Sequence, residues 1–276
     1  MSQPRTILIT GCSSGIGAHC ARALKADGWR VFATARKPQD IELLQSEGLE
    51  TFYLDYSEPE SISALVETVL ERTGGTLDAL FNNGAYSQAG AIEDLETDVL
   101  RAQFEANFFG WHDLTRRLVP VMRKQGHGRI VQCSSILGLV PMRWRGAYTA
   151  SKFALEGLSI TLRHELAETD IHVSLIEPGP IETKIAINAL YHIEKNIDLK
   201  GSVHHVSYEK ELQRLRQGGV RSKTKLKPDA VYTVLKHALE SNRPKPHYVI
   251  TRPARLAMLM RRLLPAALMY SILEKR

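Results

Sequence analysis

Short apolar runs alternate along this chain with longer segments in which apolar residues recur every three or four positions. Runs rich in Val, Ile and Leu are typical of strands buried on both faces, and the longer pattern is typical of amphipathic helices. The runs predict strands at residues 5–10, 29–35, 50–54, 77–82, 129–134, 171–177 and 247–251. The segments between them predict helices at residues 15–27, 38–47, 58–72, 97–124, 147–168 and 228–241. This alternation predicts an α/β fold, with a doubly wound, mostly parallel seven-stranded sheet and helices on both faces.

Two late segments depart from this alternation. Residues 183–226 are polar and helix-prone without a strand signal, so we expect an insertion above the sheet. In residues 253–276, Leu and Met clusters alternate with Arg255, Arg261 and Arg262, which predicts a C-terminal helical tail. Because no repeat or linker interrupts the chain, and 276 residues lie within the range of one domain, we expect residues 1–276 to form a single domain.

The net charge of +6 is unevenly placed. Residues 1–194 carry 18 Lys and Arg against 24 Asp and Glu, whereas residues 195–276 carry 18 against 6. The basic late segment indicates either a solvated face or a surface for an anionic partner, such as an acidic lipid surface or an acidic substrate tail. The cations form no nucleic-acid-binding pattern and have few aromatic neighbours, so we expect no nucleic-acid partner.

Cysteine usage and hydropathy indicate a cytoplasmic protein. Cys12, Cys20 and Cys133 form no CxxC pair and follow no secretory signal, so we expect reduced, buried thiols. The apolar stretch at 263–273 is interrupted by Pro265 and falls short of the roughly 20 residues that span a bilayer. The tail either rests on a lipid interface or packs on the protein or a partner subunit, and of these we favour packing.

A glycine-rich turn follows the first predicted strand and opens the first predicted helix. Glycines permit a tight turn and let backbone N–H groups approach a pyrophosphate, and the helix N-terminus favours negative charge. The turn therefore predicts a dinucleotide-binding site in a Rossmann-type domain. Its candidate cofactor-binding residues are Gly11, Ser13, Ser14, Gly15, Ile16 and Gly17.

The end of the second predicted strand indicates which dinucleotide binds. A site that prefers NAD(H) places a carboxylate there, on the adenosine ribose. This chain has Arg36 and Lys37 instead, which suit a 2′-phosphate, so we predict NADP(H) rather than NAD(H). Asp55, at the end of the third strand, either accepts from the adenine amino group or caps the following helix.

Tyr148 and Lys152 are four residues apart in a predicted helix and share one of its faces. A phenol has a pKa of about 10, and a neighbouring ammonium stabilises the phenolate. We therefore expect Lys152 to lower the pKa of Tyr148, which donates a proton in reduction and accepts one in oxidation. Ser135 follows the fifth strand, where ligands bind in such sheets, and is expected to polarise a substrate carbonyl. Lys152 is also expected to bond the nicotinamide ribose.

These motifs resemble those of the short-chain dehydrogenase/reductase family, in its single-domain branch, over residues 5–252. The glycine turn resembles the family's TGxxxGxG motif, and residues 82–85 resemble its NNAG motif with the last two residues exchanged. The resemblance implies that Asn107 holds a water in a proton relay behind Lys152. It also implies cofactor contacts from Asn83, Pro178, Ile181 and Thr183. Many NADP-dependent relatives carry a basic residue in the turn, and Ser13 is expected here as a neutral phosphate partner.

Within the family, the motifs look most like the hydroxysteroid and retinol dehydrogenase branch. This resemblance implies small apolar alcohol, aldehyde or ketone substrates, with residues 183–226 as a substrate lid. It also implies a homodimer or homotetramer paired through the helices at 97–124 and 147–168. The candidate apolar walls of the substrate site are Met142, Trp144, Ile187, Leu190 and Tyr191, each of which would serve equally in lid packing.

We therefore predict an enzyme, an NADP(H)-dependent oxidoreductase that moves a hydride between the nicotinamide and an apolar carbonyl or alcohol. Two alternatives remain: a sugar-nucleotide epimerase or dehydratase with the same Tyr/Lys pair, and a non-catalytic NADP-binding sensor. His192, His204 and His205 show no convincing metal pattern, and this hydride transfer needs no metal, so we predict none.

Overall fold

The apolar runs form seven strands of one sheet in the computed structural model, which describes residues 4–219 and 225–274. The strands are β1 (Thr6–Ile9), β2 (Arg30–Ala35), β3 (Glu50–Tyr53), β4 (Ala79–Asn82), β5 (Gly128–Cys133), β6 (Ile171–Pro178) and β7 (His247–Ile250). Their order across the sheet is β3-β2-β1-β4-β5-β6-β7, and every neighbouring pair is parallel. The predicted doubly wound sheet is confirmed, and it is entirely rather than mostly parallel.

Helices connect the strands and cover the sheet. They are α1 (Gly15–Ala26), α2 (Pro38–Ser46), α3 (Pro59–Thr73), α4 (Thr97–Phe104), α5 (Gly110–Gln125), α6 (Gly146–Glu165), α7 (Ile185–Asn196), α8 (His205–Arg216), α9 (Asp229–Glu240), α10 (Arg252–Leu263) and α11 (Ala266–Glu274). The strand order reverses between β1 and β4. At such a switch point the loops after the two strands diverge and leave a crevice for a ligand.

Buried strands make the centre of the protein. All four residues of β1 and of β4 are buried, and they pack with the apolar faces of the flanking helices. The three cysteines are buried and free, as expected. Burial raises the pKa of Cys12 to about 12 and that of Cys133 to about 11, which keeps both as neutral thiols.

Two predicted helices differ from those in the structure. The helix predicted at 97–124 contains a π-helical turn at Glu105–Phe109 between α4 and α5. The predicted tail helix is two helices, because Leu264 is extended (ψ 143°) before Pro265, whose ring disfavours a helical conformation at the preceding residue. No helix in residues 4–219 or 225–274 is both long and apolar enough to cross a bilayer.

A second, smaller apolar cluster lies under the predicted lid. It joins α7 and α8 to the segments before α4 and α6, through Ala89, Ala91, Ala189, Ile193, Ile197, Tyr208 and Leu215. A buried ion pair between Arg145 and Glu211 ties α8 to the start of α6, with Nη2 and Oε1 2.5 Å apart. Residues 220–224 of the predicted insertion, and 1–3 and 275–276 of the predicted domain, lie outside the described residues.

Candidate active site

The glycine turn after β1 is shaped by contacts that only glycine allows. Gly11 (φ +68°) and Gly15 (φ +59°) adopt the left-handed conformation. A Cβ on Gly17 would lie 2.3 Å from the carbonyl oxygen of Gly11, and one on Gly11 would lie 2.4 Å from the Cα of Gly84. The backbone of the turn therefore packs tightly against itself and against the loop after β4, while Ser13 beside the start of α1 is exposed to solvent.

The start of α1 is suited to a phosphate. Ser14 occupies the N-cap position, but its side chain makes no capping hydrogen bond to the first turn of the helix. Ser13 is exposed beside it and Ile16 is half-buried. Thr183 packs against the same turn, since a Cβ on Gly15 would lie 3.0 Å from its methyl group. These features fit the pyrophosphate of a dinucleotide, with the loop after β6 beside it.

Asn83 hydrogen-bonds to the end of β1 and to the glycine turn, and so holds together the two loops that border the crevice. Its side-chain amide donates to the carbonyl oxygens of Thr10 (3.0 Å) and Gly11 (3.2 Å), and its backbone N–H donates to the Thr10 hydroxyl (2.8 Å). A Cβ on Gly84 would lie 3.2 Å from the backbone nitrogen of Gly11, closer by a few tenths of an ångström than such contacts usually are. Glycine at position 84, where the family's NNAG motif has alanine, therefore lets the loop after β4 approach the glycine turn without this crowding.

The end of β2 presents two exposed cations. Arg36 lies 3.4 Å from Asp55, with 65% of its side chain exposed, and Lys37 is exposed with no side-chain partner among the described residues. The other oxygen of Asp55 accepts from the backbone and hydroxyl of Ser57. The carboxylate is therefore engaged in a turn before α3 and in holding Arg36. The predicted helix cap is wrong, because Glu58 occupies the N-cap position of α3.

Tyr148, Lys152 and Ser135 converge on one buried spot. Tyr148 and Lys152 lie on the inner face of α6 and are 7% and 1% exposed. The Lys152 ammonium donates to the carbonyl oxygen of Cys133 (2.9 Å), two residues before Ser135. Ser135 is half-buried in the loop after β5, where its hydroxyl accepts from the Leu137 N–H (3.1 Å) and is near enough to the Tyr148 phenol to lower its pKa.

Asn107 lies within the π-helical turn and is completely buried. Its amide nitrogen donates to the carbonyl oxygen of Tyr86 (2.9 Å) and to the Ser151 hydroxyl (3.4 Å), and its oxygen accepts from the Tyr86 N–H (3.2 Å). A π-helical turn redirects one side chain of a helix, and such turns are frequent at functional sites. Here it brings Asn107 against α6 beside the Tyr148 segment.

Comparisons with known proteins agree with this geometry. A family model described as short chain dehydrogenase matches residues 5–192. The chain belongs to this family. It is 39% identical to "Uncharacterized oxidoreductase YbbO" of Escherichia coli K12, over 98% of this chain and 94% of that protein. It is 36% identical to human "Retinol dehydrogenase 8", over 66% of this chain and 60% of that protein. The chain is thus an oxidoreductase of the short-chain dehydrogenase family.

Two solved structures of similar fold carry cofactors. One is a short-chain dehydrogenase/reductase of Burkholderia phymatum in complex with NAD (TM-score 0.78, 26% identity, covering 95% of this chain and 94% of that one). The other is an actinorhodin polyketide ketoreductase with NADPH (TM-score 0.73, 27% identity, covering 90% and 96%). Neighbours of this dehydrogenase therefore bind either nucleotide.

Burial dominates the electrostatics of the candidate catalytic set, which is Ser135, Tyr148 and Lys152. It raises the pKa of Tyr148 above its usual value, and the nearby Ser135 hydroxyl offsets only part of that rise. Burial also lowers the pKa of Lys152 to about 8. The prediction that Lys152 lowers the pKa of Tyr148 is wrong, because the ammonium points at Cys133 and the apolar surroundings favour the neutral phenol.

Three aromatic residues of this dehydrogenase were missed from the sequence. The Lys152 ammonium lies 4.1 Å from the ring centre of Trp111 in the first turn of α5, which is a cation–π contact. Tyr86 and His192 stack with ring centres 4.1 Å apart, which joins the loop after β4 to α7. Only their proximity in sequence to Asn83 and Asn107 could have pointed to Tyr86 and Trp111, and nothing in the sequence pairs Tyr86 with His192.

The candidate wall residues divide into two groups. Trp144 and Leu190 pack into the apolar cluster under the lid, whereas Met142, Ile187 and Tyr191 are exposed. In the loop after β6, Pro178 ends the strand and Ile181 is buried, with residues 180 and 182 exchanging backbone hydrogen bonds with Leu226. Ile181 and Thr183 therefore belong to a loop that is held at both ends.

Proposed function

We propose that this short-chain dehydrogenase is an NADP(H)-dependent oxidoreductase that interconverts apolar carbonyl compounds and alcohols. The observation that carries the proposal is the convergence of Ser135, Tyr148 and Lys152 in a fold whose glycine turn fits a dinucleotide. The test is a panel of aldehydes, ketones and alcohols monitored by NADPH absorbance. Turnover of at least one apolar carbonyl supports the proposal, and inactivity across the panel contradicts it.

Each catalytic residue has a separate role in the proposed reduction. The glycine turn, Thr183 and Ile181 would hold the cofactor, which would supply the hydride for the carbonyl carbon. Ser135 orients the carbonyl oxygen, and the neutral Tyr148 phenol donates its proton to that oxygen. Lys152 is proposed to bond the nicotinamide ribose, and Asn107 to support the return of a proton from water to Tyr148.

The cations at the end of β2 are proposed to select NADP(H). We expect Arg36→Asp to lower kcat/KM for NADPH by about 10- to 100-fold, because it replaces a charge-assisted phosphate contact with a like charge. The value for NADH should change far less. Arg243→Asp, which makes the same change on an exposed loop, is the control. Equal losses with the two nucleotides, or no loss with NADPH, would contradict this selection.

Lys152 gives the reaction a defined pH dependence. Its pKa is lowered from 10.5 to about 8, so the ammonium is present below pH 8 and is lost above it, while Tyr148, with its raised pKa, stays protonated. We therefore expect kcat/KM for reduction to be constant near pH 6–7 and to fall about tenfold per pH unit above pH 8. Initial rates at saturating NADPH measure this profile. A profile flat to pH 10 would contradict the role of the ammonium.

The substrate is proposed to be apolar, as the name of the similar retinol dehydrogenase suggests and as the exposed side chains of Met142, Ile187 and Tyr191 allow. The chain is also proposed to form a homodimer or homotetramer. Exposed apolar side chains that a paired subunit would cover lie on α4 (Leu100), in the π-helical turn (Phe109) and on α6 (Leu158). The mass in solution by sedimentation equilibrium tests this assembly.

The C-terminal tail is proposed to pack on the protein, as the sequence favours, and in addition to make a weak contact with an anionic lipid surface. It is partly packed, since Ala254 and Met269 are buried, but it also exposes apolar side chains: Leu256, Met258, Leu259, Leu263, Leu268 and Tyr270. α10 carries four arginines and no acidic residue. This combination of apolar surface and positive charge is complementary to a negatively charged membrane interface.

We expect substitution of Arg252 and Arg262 by Ser to weaken binding to vesicles of phosphatidylcholine and phosphatidylserine by roughly 30-fold, at about 1 kcal/mol per cation. Co-sedimentation measures the effect, with Arg243→Ser as the control. If the parent protein does not sediment with these vesicles, the tail serves packing or subunit pairing alone.

A further inference from the structure

Three potential metal ligands cluster behind the catalytic set. Glu156 lies one helical turn beyond Lys152 on α6, Glu177 lies at the end of β6, and His247 begins β7. Their ligand atoms all lie within 4.8 Å of one another. His247 Nδ1 is 2.5 Å from Glu177 Oε1 and 3.7 Å from Glu156 Oε2. Three separate elements of the fold thus direct carboxylate and imidazole groups at one point.

The two carboxylates are buried with little compensation. Glu177 is fully buried and accepts from the Tyr248 N–H (3.0 Å) and from His247. The Glu156 side chain is 10% exposed, and neither of its carboxylate oxygens has a hydrogen-bond partner among the described residues. A buried charge without partners is costly, so a carboxylate in this position calls for a ligand or a proton.

The surrounding cations do not supply that partner. The Lys152 ammonium donates to Cys133, and the Arg163 guanidinium donates to the carbonyl oxygens of Val173 (2.5 Å) and Pro244 (3.4 Å). Both cations act on the cluster only through space. The site is open on one side, because 38% of the His247 side chain is exposed. An ion from solvent therefore has a route to the unpaired carboxylate.

We propose that Glu156, Glu177 and His247 bind a divalent cation of the Zn²⁺ or Mn²⁺ class. Two carboxylates and one imidazole suit such ions, and water would complete the coordination. Metal–ligand bonds of about 2.1 Å place neighbouring ligands roughly 3.3 Å apart, so His247 and Glu177 separate and the ion replaces their hydrogen bond. The Tyr248 N–H then holds the other oxygen of Glu177 as an outer contact.

The proposed ion has a structural role. It cross-links α6 to β6 and β7, next to the loop that begins at Pro178, and it lies outside the set of groups that exchange hydride and proton. A ligand that binds only the folded chain raises its stability. The site could not be found along the sequence, because its residues are separated by 21 and 70 positions and come together only across the sheet.

The experiment uses untagged, full-length protein treated with EDTA and dialysed. Isothermal titration with ZnCl₂ and separately with MnCl₂ is expected to show one equivalent bound, with at least one metal. At 100-fold excess over Kd, the unfolding temperature should rise by about 5–10 °C. No saturable binding of either metal would overturn the proposal and leave a cluster that shares protons instead.

Variants locate the binding. Glu156→Gln and His247→Gln each remove a ligand at constant size and should abolish both the bound equivalent and the thermal shift. His247 is partly exposed, so its variant keeps the test valid if Glu156→Gln fails to fold. His204→Gln, in a surface pair with Glu93, should bind as the parent does. Unchanged binding by folded His247→Gln or Glu156→Gln would assign the ion to another site and overturn the proposal.

Discussion

Tyr148→Phe is expected to reduce kcat for carbonyl reduction by about 10²- to 10⁴-fold, the usual contribution of a positioned proton donor. The substitution removes only the hydroxyl, and the ring remains packed because the side chain is 7% exposed. Burial keeps the Tyr148 phenol neutral, so the substitution removes an uncharged hydroxyl and leaves no unpaired charge behind. NADPH affinity and the unfolding temperature should therefore change little. Single-turnover oxidation of NADPH measures the effect on the chemical step.

The matched control is Tyr232→Phe. Tyr232 lies on α9 and donates to Asp27 at the end of α1, so loss of its hydroxyl should leave kcat unchanged. A Tyr148→Phe enzyme that keeps the parent rate would show that another group donates the proton. Unchanged NADPH binding without any turnover in the parent would instead indicate the sensor alternative.

Gly17→Ala is the second substitution with a large expected effect. Its Cβ would lie 2.3 Å from the Gly11 carbonyl oxygen and 2.6 Å from the Asn83 amide, and neither can move without opening the turn. Overpacking of this kind costs about 1–3 kcal/mol. If the free protein relieves the clash by opening the turn, NADPH must close the turn again when it binds, and its affinity falls by roughly 5- to 150-fold. Fluorescence titration measures the loss of NADPH affinity, and thermal unfolding measures the loss of stability of the free protein.

Gly157→Ala provides a control of the same chemical size. Gly157 lies on the exposed side of α6, and no atom of residues 4–219 or 225–274 outside its own helix backbone lies within 4 Å of an added Cβ. Alanine should therefore stabilise the helix by about 0.5–1 kcal/mol. Opposite signs for the two substitutions would attribute the effect at Gly17 to the tight turn. Normal NADPH affinity in Gly17→Ala would contradict the fit of the turn to a pyrophosphate.

The sequence predicted the sheet well because strand and helix periodicity are local properties. All seven strands lie within two residues of their predicted ends, and the glycine turn falls where a strand must turn into a helix. The π-helical turn could not be predicted in this way. It adds one residue to a helical turn without changing the apolar periodicity much, and the buried amide bonds of Asn107 that stabilise it depend on the distant Tyr86 segment.

The candidate site was predictable as a set of residue types, but not as an electrostatic environment. Spacing placed Tyr148 and Lys152 on one helix face, which the structure shows. It could not show that the Lys152 ammonium turns to Cys133 and the ring of Trp111, nor that both residues lose almost all contact with water. Burial, a property of the whole fold, therefore decides their pKa values, and it favours a neutral proton donor at Tyr148.

The fate of the hydride tests the central claim most directly. An apolar carbonyl substrate found active in the panel is reduced with NADPH that carries deuterium in both positions at C4 of the nicotinamide, and the alcohol product is analysed by mass spectrometry. The proposed reaction predicts one deuterium on the carbinol carbon of every product molecule, with the hydroxyl proton drawn from Tyr148 and water. An alcohol that forms without carbon-bound deuterium would contradict it.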